Sequence, residues 1–291
     1  MPLPIPEPRE SGTTSSTELP LYWCRYGNPG DPTLLVLHGG PGAHHDYLLP
    51  QFLELARDHE LVFYDQRGGG RSKTDDRNPI TWRTHAEDLA KVVTELGLTP
   101  LRVVGYSWGG LLAMLYAIEA SRGGNGFTVP EQLVLVDPAP ITRALRDTFE
   151  VTLAERQRAA EVVRLREELA ASGLRESDPD AYRQRQFELG VAGYFADPAQ
   201  ATDLTPFRVT GRVQQQVWES LGEFDITADL ERLAIPSLVI HGRQDPIPLE
   251  SSERAAAALG ANLVILEDCG HVPYVEQPDA LWSAIRQVNE G

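Results

Sequence analysis

Short runs of apolar residues, bounded by polar or turn-forming positions, recur along this chain. They read Leu34-Leu35-Val36-Leu37, Leu61-Val62-Phe63-Tyr64, Leu101-Arg102-Val103-Val104, Leu133-Val134-Leu135-Val136, Leu238-Val239-Ile240 and Leu263-Val264-Ile265-Leu266. A continuous run of this kind suits a strand buried on both faces, because neither side of its pleat meets water. A further strand is expected near Leu21–Tyr26, after a loose arm over residues 2–20 that is rich in Pro, Ser and Thr.

Helical patterns separate most of these runs. Thr84–Leu96 sets Leu89, Val92, Val93 and Leu96 on one face, and Gly97 supplies a stop. Trp108–Glu119 is apolar nearly all round, as a helix packed into a sheet must be. Strands alternating with helices imply a parallel sheet with right-handed crossovers. The rhythm breaks from about Ile141 to Phe224, where no run reads as a strand and charged amphipathic helix such as Ala154–Ala171 takes over. The sheet pattern resumes at Ile226. The expected fold is α/β, a mostly parallel central sheet flanked by helices, with residues 1–140 and 227–291 as core and 141–226 as an inserted helical cap.

Composition narrows the function classes. The 291 residues are 42% hydrophobic and 23% charged, ordinary for a globular enzyme. A net charge of −16 argues against nucleic acid or an anionic membrane as partner, since both need a basic patch. The stretch Met1–Glu10 has neither a basic start nor an apolar run, so it does not read as a signal peptide. No stretch has the roughly 18 apolar residues of a membrane span. Cys24 and Cys269 lack the spacing of a zinc site or disulfide framework, and are expected as free thiols in the cytoplasm.

Gly105-Tyr106-Ser107-Trp108-Gly109 fits the pattern G-x-S-x-G. Such a serine sits in a strained turn between strand and helix, and both neighbours are present here: Leu101–Val104 before it and an apolar helix from Trp108. The placement resembles the nucleophile elbow of the α/β-hydrolase fold. A serine hydroxyl needs a base to take its proton and an acid to orient the base, and in that fold they follow in the order Ser, Asp or Glu, His. His38, His44, His45, His59 and His85 precede the serine, and His241 ends a strand. His271, just past the last strand, is the candidate base. Asp245 is the favoured acid, with Asp137 as its rival after the preceding strand. Ser107 at the elbow excludes the chemistry of an Asp nucleophile.

Acyl transfer also creates an oxyanion, which backbone N–H groups can stabilise by several kcal/mol. The turn His38-Gly39-Gly40-Pro41-Gly42 offers one donor at Gly40, with Gly39 as the alternative, and the N–H of Trp108 offers the other. No Lys-Ser/Thr follows the turn, so it does not read as a phosphate loop.

Three blocks together resemble the proline iminopeptidase family: His38–Gly42, Asp65-Gln66-Arg67-Gly68-Gly69-Gly70-Arg71-Ser72, and Gly105–Gly110. Ala43–Leu48 is most similar to the shorter, tricorn-interacting-factor branch, as are Gly242-Arg243-Gln244-Asp245 and Asp268-Cys269-Gly270-His271. The resemblance covers the core and thins out in the cap. It implies a metal-free, cofactor-free release of N-terminal proline or another small residue from peptides or amides. Ser107 would be nucleophile, His271 base and then acid, and Asp245 the orienting group. Asp65 and Arg67 read as structural, and His44-His45-Asp46 as unsuited to holding a metal, since adjacent loop residues rarely chelate together.

An aminopeptidase must also hold a charged amine, which calls for carboxylates at the cap face. The resemblance implies an acidic residue directly after the catalytic aspartate, where this chain has Pro246, and a glutamate before Tyr194-Phe195, where it has Gly190-Val191-Ala192-Gly193. Glu188, Glu219, Glu223 and Asp225 remain as candidate anchors, and Tyr194, Phe195 and Trp218 as candidate pocket walls. The expected partner is a small peptide, amide or ester. An aminopeptidase leads; an esterase, lactonase or amidase for uncharged acyl groups is the alternative, and a catalytically dead ligand-binding fold is the third reading.

Overall fold

The computed structural model describes residues 3–289; residues 1, 2, 290 and 291, at the ends of the expected core bounds, lie outside the described residues. The strands are β1 (Glu10–Thr13), β2 (Tyr22–Tyr26), β3 (Thr33–Leu37), β4 (Glu60–Tyr64), β5 (Arg102–Tyr106), β6 (Gln132–Val136), β7 (Ser237–Gly242) and β8 (Asn262–Leu266). They form one sheet in the order β1-β2-β4-β3-β5-β6-β7-β8. β2 pairs antiparallel with β1 and β4, and the pairs from β4 through β8 are parallel. In register, Leu37, Gly105, Leu135, Val239 and Leu263 lie side by side across five strands.

All six apolar runs are strands, β3 to β8. Their alternation divides the core into two apolar layers. Leu35, Leu37, Val103, Leu133, Leu135 and Val239 face one side of the sheet, and Leu34, Val36, Val104, Val134, Val136 and Ile240 the other. Each such side chain contributes about 1.5–3 kcal/mol by leaving water.

Two expectations are corrected. The arm over residues 2–20 is not wholly loose, because Glu10–Thr13 pairs with β2, Ser11 lying opposite Cys24. This edge strand is polar and exposed, so it carries no apolar signal and is held by backbone bonds. The single helix expected over Ala154–Ala171 is two helices, as described below.

Helices cover both faces of the sheet: α1 (Trp82–Glu95), α2 (Trp108–Ser121), then α3 (Arg143–Arg156), α4 (Ala160–Ala171), α5 (Leu174–Ser177), α6 (Pro179–Val191) and α7 (Gly211–Leu221), and finally α8 (Thr227–Leu230), α9 (Leu249–Leu259), α10 (Pro273–Glu276) and α11 (Pro278–Asn289). α1 starts at a capping box between Thr81 and Thr84. α3 stops at Arg156 because the carbonyl and side chain of Gln157 bond to Arg166 of α4 instead of extending the helix. Between β6 and β7 the described residues form helices and turns only, and the two ends of that segment meet: Thr142 bridges Asp225, Arg143 N–H donates to the Phe224 carbonyl (2.8 Å) and Ile226 N–H to that of Ile141 (3.1 Å). Among the described residues no helix is long and apolar enough to cross a membrane.

The chain runs from β3 outward to β4 and returns to β5 on the other side of β3. The carboxyl ends of β3 and β5 therefore open onto a crevice, where open α/β sheets bind ligands.

Candidate active site

Ser107 lies at that crevice, between β5 and α2. Its backbone is strained, at φ 54° and ψ −120°, and held there by a bond from Ser107 N–H to the Val136 carbonyl (3.0 Å). The flanking glycines are required by space. A Cβ on Gly105 would lie 2.6 Å from the Gly109 carbonyl oxygen, and one on Gly109 would lie 2.2 Å from that of Leu37.

The structure brings Ser107, His271 and Asp245 together. His271 Nε2 is 2.9 Å from Ser107 Oγ, and His271 Nδ1 is 2.7 Å from Asp245 Oδ2. The Nδ1 proton goes to the carboxylate, which leaves Nε2 as acceptor for the serine hydroxyl. Burial lowers the His271 pKa to about 4, so the imidazole is neutral at pH 7. Burial pushes the Asp245 carboxyl up, and the Ile247 N–H that donates to its Oδ1 (2.7 Å), the Asp137 side chain and the Arg156 charge oppose this in favour of the carboxylate. Asp137, the rival acid, makes no bond to His271; its Oδ1 accepts the Gly242 N–H at 2.8 Å.

Two residues that the sequence did not single out hold these loops. Arg156 of α3 donates to the carbonyls of Gln244 and Asp245. Glu276 accepts the N–H of Gly270 (2.8 Å) and of Ala196 (2.7 Å). His271 N–H donates to the Tyr194 carbonyl and Tyr106 Oη to the His271 carbonyl, both at 2.7 Å. All six contacts use backbone groups, so no residue pattern announces them.

On the oxyanion side the choice between glycines resolves. Gly39 N–H donates to Tyr47 Oη at 2.6 Å and is engaged, which corrects Gly39 as an alternative donor. Gly40 N–H has no backbone partner among the described residues, and Trp108, as first residue of α2, has no intrahelical acceptor for its own. Gln66 joins the three sequence blocks. Its N–H donates to His38 Nε2 (3.1 Å), its amide to the His38 carbonyl (2.8 Å), and its Oε1 accepts the Trp108 indole N–H (2.8 Å).

A cavity of about 90 Å³ opens beside Ser107, walled by Tyr47, Tyr106, Tyr194, Phe207 and Val209, with Gln214 as its amide. Larger grooves of about 840 and 760 Å³ lie elsewhere on the surface, and neither is lined by Ser107. Of the candidate substrate residues, only Tyr194 lines the Ser107 cavity. Phe195 is buried in the core beneath it. Trp218 packs on Trp108, with the Arg146 guanidinium 3.6 Å from its ring centre. Glu188 accepts from Gln184 (3.1 Å) and Arg185 (2.7 Å) and lines a groove between α4 and α6. Glu219 accepts from Gln215 (2.7 Å), Glu223 is exposed, and Asp225 caps Thr227 N–H (2.9 Å). None of these carboxylates lines the Ser107 cavity: Glu188 is buried on α6, Glu219 sits on α7, and Glu223 and Asp225 lie in the loop between α7 and α8.

Asp65 ties two loops, accepting the His45 N–H (3.0 Å), the His45 Nδ1–H (2.7 Å) and the Arg71 N–H (2.8 Å). Although burial opposes it, Asp65 and Cys24 raise the His45 pKa to about 10. Arg67 forms a two-point pair with Asp88 of α1 (2.7 and 2.8 Å). Both cysteines are buried and unpaired.

A family model described as "Alpha/beta hydrolase family" matches residues 34–284. The chain belongs to the alpha/beta hydrolase family. Among its relatives, this alpha/beta hydrolase is 28% identical over 267 residues to a protein named as the carbamate hydrolase RutD of Pseudomonas savastanoi pv. phaseolicola, covering 89% of this chain and 93% of the relative. It is 26% identical over 277 residues to a proline iminopeptidase of Lacticaseibacillus rhamnosus, covering 90% and 91%. The solved structure of proline iminopeptidase from Mycobacterium smegmatis superposes with a TM-score of 0.67 at 21% identity, covering 97% and 98%, a likeness of fold.

Proposed function

We propose that this hydrolase is a serine enzyme that cleaves ester or amide bonds of small acyl groups through an acyl-enzyme. The observation that carries the reading is the unbroken hydrogen-bond chain from Ser107 through His271 to Asp245. Ser107 Oγ attacks the carbonyl carbon while its proton passes to His271 Nε2. The N–H groups of Gly40 and Trp108 receive the oxyanion. As the tetrahedral intermediate collapses, His271 gives its proton to the leaving group. Water then attacks the acyl carbon, its proton goes to His271, and collapse returns that proton to Ser107 Oγ. Asp245 holds the tautomer and stabilises the imidazolium. The helices of residues 141–226 act as the cap, supplying Tyr194, Phe207, Val209 and Gln214 to the cavity.

The small, largely apolar cavity, with no carboxylate among its lining residues, favours an uncharged acyl group. Release of an N-terminal proline is the second reading. The similarity to proline iminopeptidases favours it, and so do the tyrosine rings of the cavity, whose faces can attract a secondary ammonium. A cytoplasmic location is supported by the two unpaired cysteines.

One comparison separates the readings: a proline arylamide, its N-blocked counterpart and a p-nitrophenyl acetate. Faster turnover of the blocked amide or ester supports the uncharged-acyl reading, and activity on the free amine alone overturns it in favour of the aminopeptidase. Ser107→Ala is expected to lose about 10⁴-fold or more in kcat/KM on every active substrate; full activity in that variant removes the serine mechanism.

A further inference from the structure

Beneath the triad lies a second acid that the hydrolytic cycle above does not use. Asp137, at the end of β6, is fully buried and held at φ 41°, a left-handed conformation that Asp and Asn tolerate better than most side chains. A carboxylate oxygen of Asp137, one of Asp245 and a ring nitrogen of His241 all lie within 4.8 Å of one another. Asp137 Oδ1 accepts the Gly242 N–H, whereas Oδ2 has no hydrogen-bond partner within normal geometry.

The surroundings offer Asp137 no counter-charge. His241 is its nearest base, with Nδ1 3.7 Å from Oδ1. But His241 Nε2 faces the Ile247 carbonyl (3.2 Å), an acceptor, so that nitrogen carries the proton. Nδ1 then accepts from Ser252 Oγ (2.9 Å), and the ring is neutral. The other ionisable groups near the pair are Tyr106 of β5, Cys269 and His271 after β8, and Tyr274 and Glu276 of α10. None of them is a cation in the resting enzyme: the tyrosines and the thiol are pushed up by burial and His271 is neutral. The Arg156 guanidinium lies on the Asp245 side, bonded to backbone carbonyls. Two buried carboxyls this close cannot both be charged.

We propose that Asp137 is a positioning residue, held as a neutral acid whose Oδ2–H is directed at the Asp245 carboxylate. This inference rests on the serine-hydrolase reading for its kinetic consequence but not for its structural one. The donor keeps Asp245 ionised in a buried site and fixes the oxygen that receives the His271 proton. The direction of the burial effect agrees, since Asp137 is raised well above the usual carboxylate range while its side chain lowers Asp245.

Asp137→Asn and Asp137→Leu test this together. In Asn the side-chain oxygen can still accept from Gly242 N–H, and its NH₂ stands where Oδ2–H stood. The acid limb of kcat/KM in Asp137→Asn is therefore expected within a few tenths of a pH unit of the parent. Leu removes the donor and excludes water, so the limb moves up by about one to two pH units. A downward shift in Asn means that Asp137 was a charge, and an unmoved limb in folded Leu means no coupling; either overturns the proposal. Infrared difference spectroscopy gives a readout independent of turnover and of the Leu variant. A protonated-carboxyl C=O band at pH 7 that disappears in Asp137→Asn is expected, and its absence in the parent overturns the proposal. If Ser107→Ala were fully active the hydrolytic reading would fall, while this band would still decide the state of Asp137.

Discussion

The carboxyl edge of the sheet and the helical segment above it are built on different principles. At the edge, backbone meets backbone: Gly105, Gly109 and Leu37 leave no room for a side chain, and Gln66 hydrogen-bonds to both His38 and Trp108. In the helical segment, α3 buries only Leu145, α4 only Val162, and α5 nothing among the described residues. Its surface instead carries exposed ion pairs such as Arg164–Glu168, which individually contribute little. Reaction geometry is thus set where substitution is costly, whereas α3 to α5 bury little and line none of the Ser107 cavity.

The largest test of this contrast is Gly109→Ala. Its methyl has no space against the Leu37 carbonyl, so a loss of about 3 kcal/mol or poor folding is expected in urea unfolding; near-parental stability would show that the elbow can relax. Acid should divide the two regions next. All seven histidines lie outside residues 141–226. Burial lowers His38, His241 and His271 to about 4 and His85 to about 3. Between those values and 6.5 the unfolded chain binds protons that the native core does not, so stability falls as pH drops through that window. His45 has the opposite sign: its contribution is complete below 6.5 and is lost as pH rises towards about 10. Hydrogen exchange should show core protection greatest near pH 6.5, and a flat profile from 4 to 10 would break the contrast. The smallest effects belong to the helical segment. Arg156→Met, which loses the contacts to the Asp245 loop, is expected to cost about tenfold in kcat, whereas Arg164→Ala should change stability by no more than about 0.5 kcal/mol. Equal kinetic effects in the two would mean that Arg156 does not hold the loop.

The same division explains what the sequence reveals. β3 to β8 are legible because strands buried on both faces must be apolar throughout, and Ser107, Asp245 and His271 because each stands at a strand end in a fixed chain order. β1 is illegible since Glu10–Thr13 has no apolar residue and pairs with β2 chiefly through backbone. The cavity is illegible for another reason. Tyr194 is the one wall that the sequence marks; Tyr47, Tyr106 and Phe207 come from three separate parts of the chain, and each looks locally like ordinary packing. Glu188 and Trp218 show the converse: chemically suggestive residues that the helices direct to other neighbours.

The bridge between Thr142 and Asp225 has a consequence for how such an enzyme diversifies. Because the segment leaves and rejoins the sheet at one seam, its length is no concern of the strands on either side. Residues 143–224 can therefore change in length and sequence behind that seam, provided that counterparts of Arg156, the Tyr194 carbonyl and the Ala196 N–H still hold the loops of Asp245 and His271. New substrates then become a matter of splicing rather than of rebuilding the sheet that carries the serine.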